Sequence, residues 1–319
     1  MSRAVPTTQP VSAACLHAQH AQHLAAGSLN RSMAIGVGLN ALFVSVELGT
    51  GWWAGSLALL ADAGHNAGDV VGLLLAWGAH ALAQRPPTRR YTWGFRRSTI
   101  YAALFNSLLL LAGCGAILWE AVHRMGTPVP TMGVAMIAVA AAGVVINTLT
   151  ALLFMRGRQH DANLRAAFLH MAADAAVSAG VVVAGIVIVL TGWTWVDPVV
   201  GMLVAIVIIV GTWDLFRESI DLAIDAVPRG INTEEVTKIL AGIPGVAAVH
   251  NLHCWSVSTA EKALTVHLIV PEATEHQRVL EEASAQLHQY VTINHTTIQI
   301  ASAAIHEQRD RSYAKRGPV

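Results

Sequence analysis

Charged residues are scarce in this sequence. Asp, Glu, Lys and Arg make up 13% of the 319 residues, about half their share in a soluble domain, which excludes an ordinary water-soluble globule. Neither sign is in excess, with 20 basic and 20 acidic residues, so the chain lacks the basic field that a nucleic-acid partner needs. Cysteine is nearly absent. Cys15, Cys114 and Cys254 are too far apart for a disulfide framework or a Cys-x-x-Cys metal knuckle, and reduced thiols are expected. No apolar run of signal-peptide form precedes the first long hydrophobic segment, and no repeat of solenoid period is visible.

Hydrophobic residues are abundant, at 54%. Six stretches, about 33–53, 57–83, 99–121, 132–155, 166–190 and 198–217, each approach the ~20 apolar residues that cross a bilayer core. Six spans place both termini on one side. The connection after the second stretch carries Arg85, Arg89, Arg90, Arg96 and Arg97, and the one after the fourth carries Arg156, Arg158 and Arg165. The other three connections offer only Arg124, so the positive-inside rule puts the arginine-rich loops and both termini in the cytoplasm. Residues 1–30, with Pro6, Pro10, His17, His20 and His23, read as a disordered tail. The three histidines are either a metal-gathering series or incidental.

From residue 218 the composition changes, with 12 acidic and 8 basic residues in 102 positions, the density of a soluble domain. Asn232-Thr233-Glu234-Glu235 reads as a helix start. Strands are expected over 246–257 and 264–270, with a turn at Ser258-Thr259-Ala260-Glu261 between them. A helix over 274–290 and a strand over 296–300 come next. This αββαβ order predicts a ferredoxin-like α+β domain over 218–306, after a six-helix transmembrane domain over 31–217 and before a tail over 307–319.

One spacing occurs twice: His65-Asn66-Ala67-Gly68-Asp69 in the second stretch and His170-Met171-Ala172-Ala173-Asp174 in the fifth. Residues four apart share a helix face, with Cβ atoms about 6 Å apart, so each pair presents an imidazole and a carboxylate together. An Asp at a helix centre in hydrocarbon costs roughly 2.5–3.5 kcal/mol, and two of them demand a compensating partner. A dication bound by His65, Asp69, His170 and Asp174 is that partner. An N2O2 set favours Zn2+ over Mg2+ or Ca2+, with Cd2+ and Co2+ also accommodated. The alternative, local pairing of each His and Asp, is weakened by the duplication and by the lack of Lys or Arg in either helix core.

Glu47, Asn40, Asp62, His80, Asn106, Glu120 and Asn147 are read mainly as helix-packing polar groups, and Asp62 is not counted as a ligand. Gly36, Gly38, Gly113, Gly115, Gly180 and Gly185 are expected to let helices approach closely. In the C-terminal domain, strand alternation puts His250 and Cys254 on the face opposite His253. His250 and His267 are either a cytoplasmic metal pair or surface histidines.

Together the stretches Ser56-Leu57-Ala58-Leu59-Leu60-Ala61-Asp62-Ala63-Gly64-His65, Arg85-Pro86-Pro87-Thr88 with Trp93-Gly94-Phe95-Arg96-Arg97, Ala167-Phe168-Leu169-His170, His250-Asn251-Leu252-His253-Cys254-Trp255 and His295-Thr296-Thr297-Ile298-Gln299-Ile300 resemble the cation diffusion facilitator family. The match is to its zinc-type branch of bacterial cobalt, zinc and cadmium resistance transporters, over about residues 31–305. The resemblance implies a homodimeric antiporter that expels a divalent metal from the cytoplasm in exchange for protons, with His65, Asp69, His170 and Asp174 as transport site. It implies that the cytoplasmic domain dimerises, and it implies no enzyme activity and no resident cofactor. The arginine loop offers no His or Asp, so the additional loop site of some relatives is expected to be missing. Gln299 and Ala301 count against a complete binuclear cytoplasmic site. The short connection Gly157 to Asn163 lacks the histidine-rich loop of many eukaryotic relatives and points to a bacterial inner membrane. The rival readings are a membrane-bound metal sensor, an intramembrane metalloenzyme and, within transport, Co2+ or Ni2+ as main substrate.

Overall fold

The computed structural model describes residues 31–127, 129–155, 162–291 and 293–301. The expected tails, His17, His20, His23, Cys15, Arg156 and Arg158 lie outside these. Six long helices come first: α1 (Arg31–Ala54), α2 (Leu57–Ala83), α3 (Ser98–Gly126), α4 (Gly133–Met155), α5 (Ala162–Thr191) and α6 (Val196–Ala223). By length and composition α3, α4, α5 and α6 are apolar enough to cross a membrane. The apolar run of α2 is thinned by Asp62, His65, Asn66 and Asp69.

The chain divides into two compact units. Of the described residues, one holds those up to Leu82 together with those of Tyr101–Glu218; the other holds Ala83–Ile100 and those from Ser219 onward. The arginine loop therefore belongs with the C-terminal domain.

In the first unit α2 is central. Ala58 and Leu59 pack with Met136 and Ala140 of α4 and with Val181, Ala184 and Ile188 of α5. Ala61 packs with Cys114 of α3 and Val204, Ala205 and Ile208 of α6. Outward-facing side chains are apolar, with Leu153 80% and Leu190 78% exposed, as a lipid-facing surface requires. Trp52, Trp53, Trp193 and Trp195 are also exposed. Trp52 and Trp53 stand at the end of α1 and Trp193 and Trp195 between α5 and α6, positions where amphipathic rings suit a bilayer interface.

Close helix approach is confined to a few glycines. A Cβ on Gly185 would stand 3.2 Å from the Gly133 carbonyl, and one on Gly201 would stand 2.9 Å from the Leu57 backbone. Contrary to expectation, Gly38, Gly113, Gly115 and Gly180 face open space; spacing alone does not say which way a helix face turns.

The second unit contains α7 (Thr233–Ala241), β1 (Ala248–Ser256), β2 (Lys262–Ile269), α8 (His276–Val291) and β3 (His295–Ala301). The sheet order is β1-β2-β3, with β1 antiparallel and β3 parallel to β2. Asn232 caps α7, its Oδ1 accepting from the backbone N–H of Glu234 at 2.9 Å, as its sequence position predicts. The Ser258–Glu261 turn closes where expected, Val257 N–H donating to the Glu261 carbonyl at 2.9 Å. Val236 and Leu240 of α7, Val279, Ala283 and Leu287 of α8, and Cys254, Leu264, Val266 and Leu268 of the sheet form one core.

Strict alternation fails at one point. Asn251 adopts φ 49°, and the β1–β2 register shifts between His250 and His253. This bulge inserts a residue and reverses the facing of the rest of β1. Leu252 and Cys254 turn into the core, so His250 does not share a face with Cys254 as alternation predicts.

Candidate metal site

α2 begins at Leu57 because several groups cap it. Ser56 Oγ accepts from Leu59 N–H at 3.1 Å and donates to Asp197 Oδ1 at 2.6 Å. Asp197, from α6, accepts from the N–H groups of Leu57 and Ala58 at 2.7 and 3.2 Å. A carboxylate on these free donors satisfies them and complements the positive end of the helix dipole. Arg124 donates to the Gly55 carbonyl at 2.5 Å while pairing with Glu120 at 2.8 Å. The start of α2 is thus fixed against α3 and α6. Ser56 is a recognisable cap from its position, whereas Asp197, 141 positions away, carries no sequence signal for this role.

Two turns further on, the predicted quartet comes together. Ligand atoms of His65, Asp69, His170 and Asp174 all lie within 4.8 Å of one another. His65 Nε2 is 3.4 Å from Asp174 Oδ1 and 3.9 Å from Asp69 Oδ2. His170 Nε2 is 3.1 Å from Asp69 Oδ2 and 3.5 Å from Asp174 Oδ2. The imidazoles meet edge to face, with centroids 5.8 Å apart. Ligands about 2.0–2.2 Å from a tetrahedral zinc are separated by roughly 3.3–3.6 Å, and the four distances bracket that edge. Side-chain exposure runs from 28% for Asp69 through 20% and 19% for His65 and His170 to 4% for Asp174, so the centre is accessible but largely sheltered. Two neutral imidazoles and two carboxylates neutralise a dication, while without one the carboxylates repel. Asp62 stands outside the quartet: its Oδ2 accepts from Ser178 Oγ at 2.7 Å.

His250 and His267 are register partners across β1 and β2, on the sheet face away from the core. Asn251 Nδ2 lies 3.3 Å from His267 Nδ1, and Gln299 is the register partner of His267 on β3. The predicted pair is therefore side by side, with an amide where a third ligand would stand. Cys254 is separate from it, and burial pushes its thiol pKa up, opposed by Lys262.

A further cluster in the second unit carries no metal signature, and its only signal in the sequence is the sign of its charge. Arg96 pairs with Glu261 and lies 3.2 Å from His295 Nε2, and Trp93 meets the His295 ring edge to face at 5.0 Å. Arg97 pairs with Asp225 at 2.6 Å. These contacts explain why the arginine loop belongs with the C-terminal domain.

Comparison with known proteins identifies both parts of the chain. Residues 33–222 match the cation efflux transmembrane domain, and residues 228–303 match the cation efflux protein cytoplasmic domain. The chain is 35% identical to zinc transporter ZitB of Escherichia coli (strain K12) over 292 residues, 91% of this chain and 93% of that protein. It is 34% identical to the metal cation efflux system protein CzcD of Cupriavidus metallidurans over 285 residues, 89% and 90% of the two chains. It is 30% identical to the cadmium, cobalt and zinc/H(+)-K(+) antiporter of Bacillus subtilis (strain 168) over 267 residues, 82% and 86%. These are transporters and not enzymes. A multi-pass apolar helical unit, a two-histidine, two-aspartate centre inside it and both domain matches lead to one conclusion: the chain belongs to the cation diffusion facilitator family of cation efflux transporters, in its zinc-type branch.

Proposed function

We propose that this protein exports Zn2+, and with it Cd2+ and Co2+, from the cytoplasm by exchange for protons. The observation that carries this reading is the quartet of His65, Asp69, His170 and Asp174, whose spacing fits a tetrahedral N2O2 zinc site. The substrate range follows the relatives, whose names give zinc alone or zinc with cadmium and cobalt. A cobalt-first or nickel-first reading draws no support from them.

Exchange follows from the ligand chemistry. Metal and proton compete for the same imidazole lone pair, so a proton arriving from an acidic exterior favours metal release, and cytoplasmic metal displaces the proton again. In this reading all six helices span the bilayer, both termini are cytoplasmic and the membrane is a bacterial inner membrane. α2 and α5 carry the site between inward-open and outward-open arrangements. The α7–β3 unit is read as a ferredoxin-like domain through which two copies pair, with His250 and His267 as a cytoplasmic metal pair that biases the transport domain.

The test is Zn2+ uptake into inside-out vesicles under an imposed pH gradient. Loss of gradient-driven uptake in His65→Ala supports the assignment, and uptake equal to wild type contradicts it. Tight Zn2+ binding by the wild type without any flux would favour the sensor reading.

A further inference from the structure

Two acids buried in the helical unit are unused by the quartet. Glu47 of α1 and Asp62 of α2 are both 0% exposed, and their carboxyl groups lie within hydrogen-bonding reach of each other. Each has one satisfied oxygen: Glu47 Oε2 accepts from Asn66 Nδ2 at 3.2 Å, and Asp62 Oδ2 accepts from Ser178 Oγ at 2.7 Å. The others, Glu47 Oε1 and Asp62 Oδ1, are buried with no partner among the described residues. Two orphaned acceptors on neighbouring acids are both satisfied by a single proton between them, and two adjacent buried carboxylates repel strongly if both ionise.

The groups facing this pair come from the packed helices. α2 supplies His65 and α5 supplies Asp174 within electrostatic range, while α4 has no titratable residue. Cys114 of α3 packs against Ala61, and Asp197 of α6 is occupied at the start of α2. No lysine or arginine bonds either acid among the described residues, so a proton is the available counter-charge.

The placement ties the pair to the transport site. Asn66 follows His65 directly, and Ser178 is four residues after Asp174, so both anchors stand on the quartet's own helices. Asp62 and Ser178 lie about one helical turn, ~5.4 Å, toward the Leu57 and Thr191 ends, the side that the arginine pattern assigns to the exterior.

We infer that Glu47 and Asp62 hold one shared proton beside the metal site, which leaves when metal binds and returns when metal is released. A dication one turn away favours the ionised pair, and its departure restores the repulsion that only a proton relieves. The O–H bond breaks, the proton passes to water, and no electrons change hands. This deepens the antiport reading and rests on it: the exchange then has a carboxyl proton site as well as imidazoles.

The experiment counts protons released per Zn2+ bound by the full-length protein in weakly buffered detergent, with a pH-indicator dye. Wild type, Glu47→Gln, Asp62→Asn and the double variant are compared, each with its Zn2+ affinity. Each single variant is expected to release about one proton fewer per Zn2+, and the double variant no fewer than either single, because the proton is shared. Unchanged counts in both single variants would overturn the inference. So would a weakened Zn2+ affinity in Asp62→Asn with the count unchanged, which would make Asp62 a residue that positions His65. Wild-type protein that transports Zn2+ with no proton release and no response to a pH gradient would overturn the antiport reading and this inference with it. Independently of any variant's folding, the wild-type infrared difference spectrum is expected to lose a protonated-carboxyl C=O band on Zn2+ addition, and retention of that band would overturn the inference.

Discussion

His170 Nε2 stands 3.1 Å from Asp69 Oδ2, across two helices and 101 positions of sequence, and closer than the 3.5 Å that separates it from Asp174 of its own helix. The same holds for His65, which is 3.4 Å from Asp174 on α5 but 3.9 Å from Asp69 on α2. The centre is knitted between α2 and α5, so sliding one against the other pulls ligands apart. The two helices must carry the site as one body if metal is to stay bound during reorientation.

The four ligands are therefore expected to behave as a unit. Asp69→Ala or His170→Ala alone should lower Zn2+ affinity by at least the roughly 10–100-fold that loss of an outer-shell partner costs. The double variant should lose much less than the sum, as a competition titration with a chromogenic chelator would show. Additive losses would contradict a single shared site.

Asp197 is predicted to stabilise the protein without binding metal. Asp197→Ala leaves the Leu57 and Ala58 N–H groups and Ser56 Oγ without their acceptor. Loss of a cap costs about 0.5–2 kcal/mol, which thermal unfolding in detergent would report as a lower Tm. Asp197→Asn, keeping one acceptor oxygen, should fall between the two, with Zn2+ affinity close to wild type in both.

Gly201 is expected to tolerate no side chain. A Cβ there would sit 2.9 Å from the Leu57 carbonyl carbon and 3.0 Å from Ala58 N, and backbone cannot rotate aside. Gly201→Ala should cost about 1–3 kcal/mol by overpacking, whereas Gly180→Ala, which faces open space, should be near neutral. Comparing their unfolding temperatures checks the packing of α6 on α2.

Cys254 should alkylate slowly and late in a pH series. Burial favours the neutral thiol and pushes its pKa up, so the reactive thiolate forms only above the usual thiol range. In a Cys15→Ser, Cys114→Ser background, iodoacetamide labelling should be slow at neutral pH and rise with pH, while denatured protein labels at the ordinary thiol rate. Rapid labelling of folded protein at neutral pH would contradict the facing imposed by the bulge at Asn251.

The quartet was legible because an i, i+4 pair of ligand types occurred twice in apolar surroundings, where local chemistry fixes both spacing and cost. The order of elements after Asn232 was legible for a similar reason: caps, turns and alternation are local signals. Features that escaped the sequence depend on partners far away in the chain. The bulge at Asn251 needs a residue at positive φ, which an Asn permits but does not announce, and it misdirected the facing of His250 and Cys254. Asp197 as a cap on α2, the pairing of Arg96 with Glu261 and the juxtaposition of Glu47 with Asp62 are all tertiary contacts. Gly185 and Gly180 look alike in sequence and differ only in what each faces.

Metal export coupled to protons through the α2–α5 quartet is open to measurement in proteoliposomes. With a pH gradient imposed, Zn2+, Cd2+, Co2+ and Ni2+ fluxes are measured for wild type beside Asp174→Ala. Gradient-dependent Zn2+ flux in the wild type and its loss in the variant are expected. Wild-type flux that ignores the gradient, or flux that persists in Asp174→Ala, would contradict it.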